Sequence, residues 1–167
     1  MQTDATNNVS KNAAEKRLLI VANRPSGNTQ RLAAAAILGA NDPQIDNVTV
    51  NFREPLEATV EDVLCCQGIL IGTTENFGYM SGVLKDFFER IYYPCLEQTQ
   101  GLPYGLYVRA GNDGTGTRSA VERIVTGLRW NPVQPCLILK GEYQQAFEPQ
   151  CKELGMLMAA GLEAGVF

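Results

Sequence analysis

The chain has 167 residues, with 18 Asp and Glu against 14 Lys and Arg, and no histidine. A net charge of −4 and a pI near 4.9 leave no basic stripe for nucleic acid, and no apolar run reaches the ~20 residues of a membrane span. Without imidazole, Ser-His-Asp triads, Cys-His pairs and His-ligated metals are removed from consideration, and no metal site is expected.

Met1 to Glu15 is polar and lacks a signal-peptide core, so residues 1–15 are expected to be a flexible tail, 16–167 a single domain, and the protein cytoplasmic. Arg17 to Ala22 then reads as a buried strand. It runs into a turn rich in Pro, Ser, Gly and Asn, and a helix is predicted over Asn28 to Leu38. The free N–H groups and dipole of such a helix N-terminus suit a phosphate. Ser26, Asn28 and Thr29 offer short polar side chains, and Gly27 permits close backbone approach. The loop is neither G-x-x-x-x-G-K-[ST] nor G-x-G-x-x-G, so neither a Walker nucleotide site nor a dinucleotide fingerprint is present. An ordinary capped turn is the plain alternative.

Further strands are expected at Asn47–Phe52, Gly68–Gly72, Tyr104–Ala110 and Pro135–Lys140, with helices at Val60–Cys65, Met80–Tyr93, Arg118–Leu128 and Ala146–Ala164. Met80, Val83, Leu84, Phe87, Phe88 and Ile91 follow helical spacing, as do Val121, Ile124, Val125 and Leu128. Asp86 with Arg90 and Arg118 with Glu122 stand four apart on these helices. Five strands alternating with five helices imply an α/β fold, a parallel sheet covered on both faces. Such sheets bind ligands beyond the carboxyl ends of their strands. That rule selects three loops: Asn23–Thr29, Thr73–Tyr79 and Gly111–Thr117.

The second loop, T-T-E-N-F-G-Y-M-S-G, places Phe77 and Tyr79 among small residues and suits a flat ring, although aromatics at such places also serve the core. The third, G-N-D-G-T-G-T, holds three glycines, explained by close approach to a ligand or by a plain turn. A phosphate pocket, an aromatic loop and a glycine loop at one sheet edge point to a phosphorylated planar cofactor. A phosphoacceptor receiver domain is excluded, because strand one ends in Ala22-Asn23-Arg24 and strand three in Gly72-Thr73-Thr74, without the needed acids. The five cysteines form no C-x-x-C pair and read mainly as buried free thiols.

From Arg17 to Lys140 the chain resembles the flavodoxin-like FMN proteins, in particular the NAD(P)H-dependent FMN and quinone reductases. Ser26-Gly27-Asn28-Thr29 looks like their phosphate loop. Glu75 to Gly82, followed by Leu84-Lys85, Phe87 and Glu89-Arg90, looks like the reductases' F-G-x-x-S-G-x-x-K-x-F-x-[DE]-R segment. The resemblance implies a five-stranded flavodoxin-like three-layer sandwich with strand order 2-1-3-4-5. It implies FMN, with Ser26, Gly27, Asn28 and Thr29 at its phosphate. Thr74, Glu75, Asn76, Phe77, Gly78 and Tyr79 would lie at the ring and ribityl chain. Gly111, Asn112, Asp113, Gly114 and Gly116 would close over the pyrimidine side. Arg24 stands where a small hydroxyl residue is usual, and either pairs with the phosphate or points to solvent. The implied activity is electron transfer from NADH or NADPH to a quinone or similar small acceptor. The flavin carries the chemistry, and no side-chain catalyst is assigned. The alternative is a flavodoxin-type carrier without nucleotide turnover of its own. A homo-oligomer is implied for the reductase branch. The apolar tail Gly155 to Phe167 either packs on the sheet or meets another subunit.

Overall fold

A computed structural model describes residues 14–167. Most of the expected tail lies outside the described residues. The chain runs β1 (Lys16–Ala22), α1 (Gly27–Ala40), β2 (Val48–Arg53), α2 (Val60–Cys65), β3 (Gly68–Asn76), β4 (Tyr79–Met80), α3 (Gly82–Leu96), β5 (Pro103–Ala110), α4 (Thr115–Gly127), β6 (Asn131–Pro132), β7 (Leu137–Lys140) and α5 (Phe147–Ala164). The main sheet is parallel, in the order β2-β1-β3-β5, with β6 and β7 both on the outer edge of β5. The implied order is therefore present, with the fifth strand in two pieces.

Burial on both faces explains the sequence of the central strands. Leu18 and Ile20 point to one face, where they meet Leu32 and Ala36 of α1 and Leu154 and Met158 of α5. Leu19 and Val21 point to the other, into a core with Leu84, Phe87 and Ile91 of α3 and Val121 and Val125 of α4. The two helical layers pack differently. Helices α1 and α5 interlock through glycine: a Cβ on Gly155 would lie 2.0 Å from the Ala36 carbonyl oxygen, and one on Gly39 would lie 1.9 Å from that of Lys152. Gly155, Met158 and Leu162 are buried by this packing, and the Phe167 ring folds back against Gly161. Helices α3 and α4 are not closely packed on one another, and a furrow runs between them.

Three local departures from the expected elements have plain causes. The final strand is broken because the step from Tyr104 to Tyr107 on β5 is matched by the longer step from Pro132 to Leu137, so the chain bulges away after Val133, whose N–H still donates to the Tyr104 carbonyl. Pro132 and Pro135 carry no N–H for a ladder there. Asn47 is left-handed (φ 58°), so β2 begins one residue later than its pattern suggests. Met80 is in β4, not in a helix. Ser81 caps α3, its Oγ accepting the Leu84 N–H at 3.3 Å, so the helix cannot start earlier.

Both expected helical charge pairs form. Arg90 Nε donates to Asp86 at 2.7 Å, and Arg118 Nε lies 3.9 Å from Glu122. Arg90 also donates from its other nitrogens to the Ala58 and Pro55 carbonyls, each at 2.6 Å. The arginine of the reductase-like segment thus clamps the turn before α2 to α3.

Candidate functional site

Because β1, β3 and β5 are parallel, their carboxyl ends share one edge, and the three loops selected by the sequence emerge there side by side.

The first loop ends in a reciprocal cap. The Ser26 side chain accepts the Thr29 N–H at 3.3 Å, while Thr29 Oγ1 accepts the Ser26 N–H at 2.9 Å and donates to the Ser26 carbonyl at 2.9 Å. The capping holds the first turn of α1 open toward the edge. The N–H groups of Gly27 and Asn28, the first two of the helix, have no partner among the described residues. Nothing stands within 4 Å of the place a Gly27 Cβ would occupy, so the backbone there is open to a ligand. Asn28 is exposed and its side-chain oxygen accepts from Arg31 at 3.3 Å.

Two residues of this loop behave in ways the sequence did not dictate. Arg24 does not lie free at the phosphate position. Its Nε donates to Glu54 at 2.7 Å and its guanidinium sits 4.3 Å over the Phe52 ring, so it ties the loop to the end of β2. Asn23 donates from Nδ2 to Thr74 Oγ1 at 3.3 Å, and its Oδ1 is buried without a partner. An orphaned acceptor is a cost that a ligand hydroxyl would remove. Asn23 was legible only as the first residue after a buried strand.

The second loop is a hairpin. β3 runs on past the sheet edge to Asn76, and β4 returns antiparallel with Glu75 opposite Met80. Phe77 (φ 54°) and Gly78 (φ 72°) form its two-residue turn, and both lie in the left-handed region that type I′ requires. Gly78 takes this conformation freely. Phe77 pays for it, at about 1–2 kcal/mol, and its ring is fully exposed at 108%. A bulky apolar residue held strained and in water is a feature of ligand-contacting loops. Thr74 donates to Asn76 Oδ1 at 2.9 Å, fixing the strand end.

The third loop is tied to the hairpin. Glu75 Oε1 accepts the Asn112 N–H and Oε2 the Gly114 N–H, each at 2.8 Å. Thr117 Oγ1 donates to the Tyr79 carbonyl at 3.0 Å. Gly116 lies so close to Gly78 that an added Cβ would come within 2.3 Å of the Gly78 oxygen. Asp113 is exposed and accepts hydrogen bonds within its own turn. The Thr115 N–H, and then its hydroxyl, hold the Asp113 carboxyl below the ordinary carboxylate range. Gly111 and Asn112 are exposed at the tip.

Beneath these loops the sheet is closely fitted. A Cβ on Gly72 would strike the Tyr107 ring at 2.2 Å, and burial raises the Tyr107 phenol well above its ordinary value. Cys66, Cys95 and Cys151 are buried thiols, and all five cysteines are free. No group of three His, Cys, Asp or Glu suited to a metal occurs among the described residues, and none of their helices is long and apolar enough to cross a membrane.

No protein-family model matches the chain. A flavodoxin from Aquifex aeolicus is 28% identical over 112 residues, which span 67% of this chain and 60% of that protein. The match thus covers less than two thirds of that relative's length. Among solved structures, a flavodoxin from the Archaea superposes with a TM-score of 0.73 at 18% identity, over 86% of this chain and 96% of that one. The chain has a flavodoxin-like fold. An NADH:FMN oxidoreductase in its apo form is also similar to this flavodoxin-like protein, with a TM-score of 0.67 at 11% identity over 84% of this chain and 86% of that one.

Proposed function

We propose that this flavodoxin-like protein binds FMN at its three edge loops and passes electrons from NADH or NADPH to a quinone or similar small acceptor. The observation that carries the reading is the juxtaposition of the open N-terminus of α1, with free Gly27 and Asn28 amides, and the buried orphan oxygen of Asn23. The first suits a phosphate and the second a hydroxylated chain beside it. Those residues therefore fit FMN.

In this reading Ser26 and Thr29 hold the helix start so that its amides converge on the phosphate. Asn23 accepts from the ribityl chain. The Glu75–Tyr79 hairpin and the Gly111–Gly116 loop flank the ring and exclude water from it, with Phe77 as its exposed aromatic edge. Arg24, engaged by Glu54 and Phe52, braces the loop without gripping the phosphate. When bound, the flavin supplies hydride acceptance and electron release, so the protein needs no acid–base pair of its own.

The reductase reading is supported by the Phe77–Arg90 segment and by the likeness to an NADH:FMN oxidoreductase. An electron-carrier reading is favoured by the likeness to the Aquifex flavodoxin. Oxidation of NADH and NADPH by the FMN-loaded protein with a quinone separates them. Turnover of either nucleotide supports the enzyme. FMN binding with no turnover across several acceptors overturns it in favour of the carrier.

A further inference from the structure

The contrast between the two helical layers leaves one feature that the FMN reading does not use. Where α1 and α5 interlock, α3 and α4 diverge, and the floor of the furrow between them is Phe88, Tyr92 and Ile124. At its end nearest the hairpin the furrow widens into a cleft of about 430 Å³ lined by Tyr79, Lys85, Ser119, Ala120 and Arg123. Gly116, at the end of the third loop, also lines this cleft, pressed against Gly78 and followed by the Thr117–Tyr79 hydrogen bond. The cleft thus borders the hairpin and the third loop that flank the proposed ring site.

The chemistry of the lining is specific. Arg123 is exposed and has no carboxylate or hydrogen-bond partner among the described residues. Its neighbour Glu122 is turned toward Arg118, at 3.9 Å. Lys85 meets a single carboxylate, the well-exposed Glu89, at 3.4 Å. Two cations thus face one anion, in a chain whose net charge is −4. The Tyr79 phenol and Ser119 hydroxyl are exposed hydrogen-bonding groups, and Ala120, Ile124 and the Tyr79 ring supply flat apolar surface. Apolar walls with a few convergent polar groups describe a small-molecule site, and paired cations select a phosphate.

We infer that this cleft takes the adenosine end of the nicotinamide donor, with Lys85 and Arg123 on a phosphate, and so favours the donor form that carries the additional 2′-phosphate. The inference rests on the reading that the neighbouring loops hold FMN and that a nicotinamide nucleotide reduces it. It assigns Lys85 and Arg123, which lie outside the cofactor loops, to donor choice.

Adenosine 2′,5′-bisphosphate probes the cleft without any redox step. The full chain, with and without FMN, is titrated with the bisphosphate and with adenosine 5′-monophosphate by calorimetry and by amide chemical shifts. The bisphosphate is expected to bind at least about tenfold tighter than the monophosphate, the value of roughly one charge-assisted contact, and to move the Tyr79, Ser119 and Arg123 amides. Lys85→Gln with Arg123→Gln should abolish that preference while FMN affinity, read by flavin fluorescence, stays the same. Equal binding of the two nucleotides, a preference that survives the double substitution, or displacement of the bisphosphate by FMN would overturn the inference. Loss of FMN binding alone, with the bisphosphate still selected, would instead overturn the cofactor reading.

Discussion

Glu75 reaches across the mouth of the site to Gly114. Its Oε2 accepts the Gly114 N–H at 2.8 Å while Oε1 accepts that of Asn112 at the same distance. One carboxylate thereby makes a single body of the hairpin and the glycine loop, 37 and 39 residues apart in sequence. Both oxygens are needed, because both partners are donors.

Glu75→Gln tests this tie. The amide keeps one acceptor and turns a donor toward the other N–H. Since Glu75 is partly exposed, the cost is about 1–2 kcal/mol, concentrated in the third loop. Hydrogen exchange at Asn112 and Gly114 should quicken roughly tenfold or more, which is what ~1.4 kcal/mol of local opening produces. Unchanged exchange at both amides would show that the loop is held by something else.

Gly116→Ala and Gly78→Ala form a pair with different physics. The first puts a methyl 2.3 Å from the Gly78 oxygen and must push the loops apart, at roughly 1–3 kcal/mol. The second meets nothing within 4 Å, and its cost is the left-handed backbone alone, about 1 kcal/mol. Denaturant titration should show Gly116→Ala the more destabilised, and FMN affinity should fall more in it. The reverse order would contradict the close contact between the loops.

Thr29→Ala removes the hydroxyl that both accepts from and donates to Ser26. About 1 kcal/mol of stability should be lost, and FMN affinity should drop with it because the amides of α1 lose their aim. Thr29→Ser keeps the oxygen and should restore most of both. An FMN affinity indifferent to Thr29→Ala would place the phosphate away from this helix.

What could be read in the sequence and what could not divides by range. β1, β3 and β5 were legible because burial on both faces demands continuous apolar runs, as in Leu18 to Val21 and Gly68 to Ile71. The three edge loops followed, since parallel strands bring their carboxyl ends together. β4 was hidden because Met80 also satisfies the helical period of α3, and only the Ser81 cap decides between them. The break in the last strand was hidden because its cause is a mismatch in register with β5. Arg24 was ambiguous because its partner, Glu54, is 30 residues away. Glu75 suffered the same limit: nothing local announces that its carboxylate will meet two distant amides.

Alkaline pH should expose the buried thiols. Burial pushes Cys66 and Cys151 from the ordinary 9.0 up to about 12, and Cys136 likewise to about 12. A raised folded value means that the folded chain keeps its protons where the unfolded chain loses them. Stability from these groups is therefore full below pH 9 and declines as pH rises toward about 12. Thermal melts across that range should show a falling midpoint, and replacing Cys66 and Cys151 with Ala should flatten the decline. An equally steep decline in that variant would assign it to other groups.

The central claim, that the free amides at the start of α1 hold the phosphate of FMN, is tested most directly by titrating the chain against FMN and riboflavin in parallel and following flavin fluorescence. One FMN per chain should bind, with riboflavin weaker by about 100-fold, the value of roughly two charge-assisted hydrogen bonds to the phosphate. Equal affinity for the two flavins, or no binding of either, would contradict it.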